Sequence, residues 1–304
     1  MKILMIVGSK RWGVNRRINS GFAEKLANFK DIQLVVHDRN TLVEQEKTIL
    51  NIYNNLKPDV IICYAKIGKS NFMKITDQIQ CAKIAIEVDY HRKPLVLQKI
   101  YQRCKFDLVI QRGSFPSPSK YPIPWVWLPF SADEKFFHPD GPFRTRKNMI
   151  GFAGSANASY PVRLRAVNIL KRKEVLAECK KCFGSNYPKF LRDHRAYLTS
   201  TELDSPHGKL FEILASGGAV LSGPFSTKEV LGLKDCIIEY KNDCSDVFEK
   251  ARFIRNNFSL VQQIAENGRN TFLKKHTDNH RIKELYEHIQ NLVHGKPLVK
   301  PWGI

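Results

Sequence analysis

Thr199–Gly223, TSTELDSPHGKLFEILASGGAVLSG, is the stretch on which the fold turns. Arg195–Thr199 reads as a short buried strand that opens into a polar loop at Ser200–Ser205. Ser205 is a good N-cap, and Pro206 suits a first helical turn. Leu210, Phe211, Leu214 and Ala215 then recur at helical spacing. Gly217 and Gly218 stop the helix, and Ala219–Leu221 starts another strand. Strand, loop, short helix, paired glycine and strand make a βαβ unit. In open α/β sheets ligands bind where such loops leave the carboxyl ends of strands. His207, Gly208, Lys209 and Glu212 fall at that edge. A helix N-terminus with a lysine suits a phosphate. A carboxylate one turn further along suits the hydroxyl pair of a ribose. Spacing alone favours the plainer reading, an ordinary exposed lysine and a solvated glutamate, and the wider pattern of the chain is what turns it.

The rest of the chain extends the same rhythm. Ile3–Val7 is a continuous apolar run of the kind found in buried parallel strands. Gly8 and Gly13 shape the loop that follows, which carries Lys10 and Arg11 and runs on to Arg16 and Arg17. A basic loop before a helix can meet a phosphate or an anionic acceptor; a solvated basic loop is the other reading. A helix through Ile18, Phe22, Leu26 and Phe29 comes next, then strands at Ile32–Val36, Val60–Cys63, Lys83–Val88 and Phe106–Ile110. Thr41 and Glu44 have the spacing of a capping box. Asp89 and His91 follow the fourth strand, at the edge where such sheets place their chemistry. A histidine there can bond a sugar or move a proton, or merely tie down a loop.

Nine of the residues between Pro116 and Pro142 are proline or tryptophan, which excludes a long helix there. Trp125–Leu128 reads as the last strand of a first domain. Met149–Phe152 restarts the pattern, and a helix through Leu164, Val167, Ile169 and Leu170 follows, with Arg163 and Arg165 in its first turn. Cations at a helix start are unfavourable, which points to an anion nearby. A strand at Cys236–Tyr240 and helices near 244–257, 260–274 and 278–292 complete the chain.

The 304 residues are 43% hydrophobic, enough for two ordinary domains. Lys and Arg number 49 against 29 Asp and Glu, a net charge of +20 spread over both halves. Such a surface favours anionic partners: nucleotides, a glycan, a lipid-linked glycan at a membrane surface, or nucleic acid. No apolar run approaches a membrane span, and the opening run is too short for a signal peptide. Seven cysteines fit thiols in a reducing cytoplasm. Cys179 and Cys182 form a single CxxC with no second pair, so two incidental thiols are expected, and no metal site. His276 and His280 are expected on the surface at a helix start. The noncatalytic alternative is a nucleic-acid-binding protein on a Rossmann scaffold, with Trp12, Tyr64 and Trp125 stacking bases.

Four segments carry a resemblance. Leu128–Pro139, LPFSADEKFFHP, resembles the crossover of group 1 glycosyltransferases. Gly151–Ser155 with Tyr160, Pro161 and Arg163 resembles the opening of their second domain, notably in the CgeB-like, spore-maturation branch. Lys209–Gly217, KLFEILASG, resembles that branch's donor motif, and Ile264–Arg269 with His276 and Arg281 its closing motif. The resemblance implies a GT-B fold, two Rossmann-like α/β domains facing a cleft. The expected divisions are 1–128 (acceptor side), 129–148 (crossover), 149–275 (donor side) and 276–304 (a helix returning to the first domain, and a tail). It implies transfer from a UDP- or GDP-linked sugar, with retention and without an obligate metal or other cofactor. Carried over residue by residue, Glu212 binds the ribose, and Lys209 with Gly154 or Ser155 sits near the diphosphate. Arg163 partners it, and His207 and Gly208 complete the donor set. Asp89, His91 and Lys209 are the expected catalytic residues. Two departures stand out: Asp204 replaces the first of a glutamate pair, and Lys209 replaces an arginine, a point charge for a bidentate fork.

Overall fold

A computed structural model describes residues 1–7, 22–38, 45–64, 76–88, 94–113, 123–179, 182, 184–200, 206–298 and 302. Gly8, Lys10, Arg11, Gly13, Trp12, Thr41, Glu44, Asp89, His91, Asp204 and Ser205 lie outside those residues. The chain divides into two compact units, Met1–Pro129 with Asn279–Ile304, and Phe130–Asp278.

In the first unit, among the described residues, six parallel strands form one sheet in the order β2-β1-β3-β4-β5-β6. They are β1 (Lys2–Val7), β2 (Gln33–Asp38), β3 (Val60–Tyr64), β4 (Ala82–Glu87), β5 (Leu108–Gln111) and β6 (Trp125–Trp127). Residues 22–27 form a helix, α1, followed by α2 (Gln45–Leu56) and α3 (Pro94–Arg103). β1 from Ile3 and β3 are apolar throughout their buried length, and β5 is so up to Ile110, as a sheet covered on both faces requires. Ile3, Met5, Ile62, Ile84 and Ile110 share one core with Ile282, Leu285 and Ile289 from the far end of the chain. The helix carrying those three also stacks Tyr286 on Phe29, and the Tyr286 hydroxyl donates to Asp31 at 2.7 Å.

Among the described residues, the second unit holds five parallel strands in the order β11-β10-β9-β7-β8. These are β7 (Lys147–Phe152), β8 (Leu176–Glu178), β9 (His194–Leu198), β10 (Ala219–Ser222) and β11 (Ile237–Glu239). The helices are α4 (Pro161–Arg172), α5 (Asn186–Asp193), α6 (Gly208–Ala215), α7 (Val247–Asn256) and α8 (Phe258–Lys275), with α9 (Asp278–Val293) leading back into the first unit. Ile150, Ala196, Leu198 and Leu221 of the strands pack with Ala166 and Leu170 of α4 and with Ala251 and Val261 of α7 and α8.

The expected βαβ unit is present as β9, α6 and β10, with one change. The helix opens at Gly208, behind an extended His207, so Pro206 precedes it rather than starting its first turn. At its other end Gly217 adopts φ +69°, and the Gly217 and Gly218 amides donate to the carbonyls of Leu214 and Ile213. That pair of bonds is a Schellman stop, whose left-handed position glycine alone fills without cost. β8 and α5 carry no periodicity that sequence reading picked out. Cys179 and Cys182 are joined as a disulfide, not two thiols: their Cα atoms lie 5.6 Å apart, within disulfide range. His276 is buried, not at the surface. Its Nε2 donates to the Leu231 carbonyl at 2.8 Å and its ring lies against Phe211.

Tyr197 locks the centre of the second sheet. Its hydroxyl donates to the Phe190 carbonyl (2.6 Å) and accepts from the His194 amide (2.9 Å). The ring covers Gly151 on β7 and Gly218 before β10, and a Cβ at Gly151 would overlap it. With the ring anchored at its hydroxyl end, Gly151→Ala must displace either the ring or the strand. The expected loss is about 1–3 kcal/mol of unfolding free energy, read from urea titration; an unchanged midpoint would show that the ring yields freely.

Candidate active site at the carboxyl edge of the second sheet

β7 and β9 are parallel neighbours, so the loops leaving their carboxyl ends adjoin. The loop after β7 carries Ala153, Gly154 and Ser155. The chain after β9 carries buried Ser200 and leads to His207 and α6. These two loops bring the donor-side residues expected from sequence together within the second unit.

α6 is a short helix with its six residues from Leu210 to Ala215 all buried. Burial of Leu210, Phe211, Ile213 and Leu214 contributes roughly 1.5–3 kcal/mol each. That anchorage holds Lys209 and Glu212 in place. The Lys209 Nζ donates to the Ala153 carbonyl at 2.5 Å, tying the start of α6 to the loop after β7. Gly154 lies beside that ammonium, and a Cβ there would run into Nζ. Gly154 and Ser155 are exposed. His207 occupies the N-cap position but gives the helix no side-chain cap. Gly208, the first helical residue, lies over the Phe130 ring, 3.5 Å from where a Cβ would stand.

Arg163 reaches back from the first turn of α4. Its Nε donates to the Ser200 hydroxyl (2.9 Å), one terminal nitrogen donates to the Ser155 carbonyl (3.2 Å), and the guanidinium lies 4.2 Å over the Tyr160 ring. Arg165 in the same turn donates to the Asp243 carbonyl at 3.3 Å. Arg163 therefore cross-links the two loops and stays half-buried at their edge.

Glu212 is the buried carboxylate of the site. Tyr187 on α5, itself buried, donates its hydroxyl to Glu212 Oε2 at 2.6 Å. Among the described residues no other hydrogen bond reaches this carboxylate. Burial pushes the Glu212 carboxyl above its ordinary range; the Tyr187 bond and the charge of Lys209 pull it back, and Asp278 pushes it up again. Lys209 is half-buried as a residue, its ammonium end the more enclosed part. Burial lowers its pKa to about 8, against the opposing pull of Glu212 and with a further push from Arg163. A cation whose protonation is costly, next to a helix N-terminus, gains most from an anionic ligand.

Sequence reading missed Tyr187 and Ser200. Neither sits in a motif: Tyr187 comes from α5, 25 positions before its partner. Tyr64 and Trp125, read as base-stacking candidates, are buried in the first unit's sheet, Tyr64 at 4% and Trp125 at 9% exposure, so neither offers a ring face. Among the described residues no group of three or more His, Cys, Asp and Glu side chains is placed to hold a metal ion. None of their helices is long and apolar enough to cross a membrane.

Residues 155–287 match the family model described as "Glycosyl transferase-like". That segment starts at Ser155, in the loop after β7, and runs through α6 and the helices behind it. Among solved structures, sucrose-phosphate synthase from Thermosynechococcus elongatus superposes with a TM-score of 0.70 at 10% identity, over 97% of this chain and 100% of that one. The Anabaena protein HepE, in complex with UDP-glucose, gives 0.67 at 12% identity, over 96% and 100%. An α-glucosyltransferase in complex with UDP and a mismatched 13-mer DNA gives 0.65 at 13% identity, over 95% and 100%. The fold is GT-B. No curated protein sequence matches the chain.

A depressed lysine pKa has a direct consequence for anion binding. The ammonium is present below about pH 8 and is lost above it. Affinity for inorganic pyrophosphate, read by calorimetry, is expected to fall about tenfold per pH unit once the pH passes that value. Lys209→Met should weaken binding at pH 7 and flatten the alkaline slope; a slope unchanged in that variant would remove Lys209 as its source.

Proposed function

We propose that this protein is a glycosyltransferase that takes its sugar from a nucleoside-diphosphate donor held by the second unit. One observation carries the reading: the buried Glu212 and the enclosed Lys209 share one face of α6, beside the loop after β7, inside the segment that matches the glycosyl transferase-like family. Glu212 would accept from the ribose hydroxyl pair. Lys209, Arg163 and the backbone at Gly154 and Ser155 would receive the diphosphate. A departing diphosphate gains negative charge, and cations already in position lower the barrier to its departure. That is the basis for proposing transfer without an obligate metal, since the basic groups occupy the role a divalent ion would take. Retention at the anomeric carbon and the CgeB-like branch rest on the motif resemblance, and the catalytic roles of Asp89 and His91 on their sequence position after the fourth strand, at the edge where such sheets place their chemistry.

UDP is the first donor nucleotide to test, because the titles of the HepE and α-glucosyltransferase structures name it. The acceptor we propose is anionic, on the strength of the +20 charge. DNA is one such acceptor class, and the α-glucosyltransferase of the same fold was crystallised with DNA. The purely nucleic-acid-binding alternative loses support, since Tyr64 and Trp125 are buried.

Calorimetry against UDP, GDP, CDP, dTDP and ADP is expected to show base-selective binding that Glu212→Ala weakens by about tenfold or more while the fold survives. No binding to any of the five would end the donor-site reading. With the donor identified, His91→Ala is expected to lower turnover more than donor affinity; unchanged turnover would take His91 out of the site.

A further inference from the structure

The Leu128–Pro139 motif and the buried Tyr187 both fall outside the donor set expected from sequence; the motif meets the tyrosine, and through the tyrosine it is linked to Glu212. Tyr187 is 4% exposed and makes one hydrogen bond, to Glu212 Oε2 at 2.6 Å. Phe137, buried inside the motif, packs edge-on against the Tyr187 ring, with centroids 5.9 Å apart and planes at 78°. Phe137 is fixed in turn by its amide bond to the Asp133 carbonyl at 2.8 Å, and Asp133 Oδ1 accepts from the Lys135 amide at 3.0 Å. A tight turn thus presents an aromatic edge to a tyrosine, whose hydroxyl fixes one oxygen of a carboxylate.

We infer that Tyr187 is the positioning residue of the donor site: its hydroxyl holds Glu212 Oε2 so that Oε1 is the oxygen offered to the ribose hydroxyls, and Phe137 holds the tyrosine ring. The inference rests on the donor-site reading of Glu212. A buried carboxylate is driven towards protonation unless its charged form is hydrogen-bonded. Hydrogen bonding to the ionised form keeps it ionised. The charged or titratable groups acting on it are Lys209 on its own helix, Tyr187 on α5 and Asp278 at the start of α9. Of these, Lys209 and Tyr187 favour the carboxylate and Asp278 opposes it. Removing the tyrosine hydroxyl leaves Lys209 alone to hold the charge, so the carboxyl must protonate at higher pH. Protonation consumes a lone pair and turns an acceptor into a donor, which a ribose diol meets less well.

Tyr187→Phe keeps the ring and its packing on Phe137 and removes only the hydroxyl. UDP affinity would be measured by calorimetry from pH 5 to 8 for the wild type, Tyr187→Phe, Glu212→Gln and the double variant. Carbon-13 NMR of the glutamate carboxyls would follow Glu212 in the ligand-free proteins. Tyr187→Phe is expected to weaken UDP binding about five- to twentyfold at pH 7. The acid limb of its affinity and the Glu212 titration should both move to higher pH. The double variant is expected to bind no more weakly than Glu212→Gln, because the tyrosine acts through the carboxylate. If Glu212→Gln weakens binding while Tyr187→Phe retains wild-type affinity and an unmoved acid limb, the positioning role is overturned and the donor site stands. Additive losses in the double variant would overturn it equally. If Glu212→Gln binds UDP as the wild type does, the donor-site reading falls and takes this inference with it.

Discussion

A carboxylate sealed inside an apolar helix is the constraint around which the second unit is arranged. Leaving Glu212 charged in a buried position is costly, and in a chain selected only for stability an apolar residue would serve that position better. The surroundings compensate locally. A tyrosine hydroxyl comes from α5, a lysine from the previous turn of α6, and both elements are held by packing that has no other evident polar purpose. The cost is therefore spread over two helices, α5 and α6. Both are held in register by the sheet: α5 through Tyr197 bonding to Phe190, and α6 through Gly218, which admits the same ring.

The polarity of α6 follows the same logic. At its C-terminal end the last carbonyls are met by guanidinium groups: Arg146 donates to the Ser216 carbonyl at 2.5 Å, and Arg269 donates to the Ala215 carbonyl. Burial lowers the pKa of both arginines, yet each sits where the helix dipole is negative and repays its charge. At the N-terminal end His207 supplies no side-chain cap, and the nearest cation is Lys209. One end of the helix is thus neutralised by the protein's own cations, while the other end accumulates positive potential towards the loop after β7.

Local pattern carried most of the architecture. The continuous apolar runs of β1, β3 and β5, the Gly217–Gly218 stop and the alternation of strand and helix are all properties of short windows, and the structure has them. The i, i+3 placement of Lys209 and Glu212 was legible for the same reason. What escaped depends on distance along the chain. Tyr187 has no periodic neighbours to announce it, since α5 is brief and follows a cysteine pair. β8 is half-exposed along its length and lacks the apolar signature of its neighbours. His276 looks like a surface residue next to Lys274 and Lys275, and only the fold of the Leu231 turn against α8 makes it a buried donor. The start of α6 was read two residues early because proline tolerance marks an allowed position rather than a required one.

The first unit is discontinuous. Its sheet is complete by Trp127, but the face that needs Ile282, Leu285 and Ile289 must wait for the last helix. On a ribosome, the strands of this unit emerge with one apolar face covered in part by α1, and the remainder stays open while the whole of Phe130–Asp278 is made. The second unit is continuous and can close its own core in that interval. The order of maturation is thus inverted relative to the order of synthesis: the half made first is finished last. Exposure of a parallel sheet during that delay is the most aggregation-prone moment in the life of the chain, and the duration of that moment is set by the length of the inserted unit.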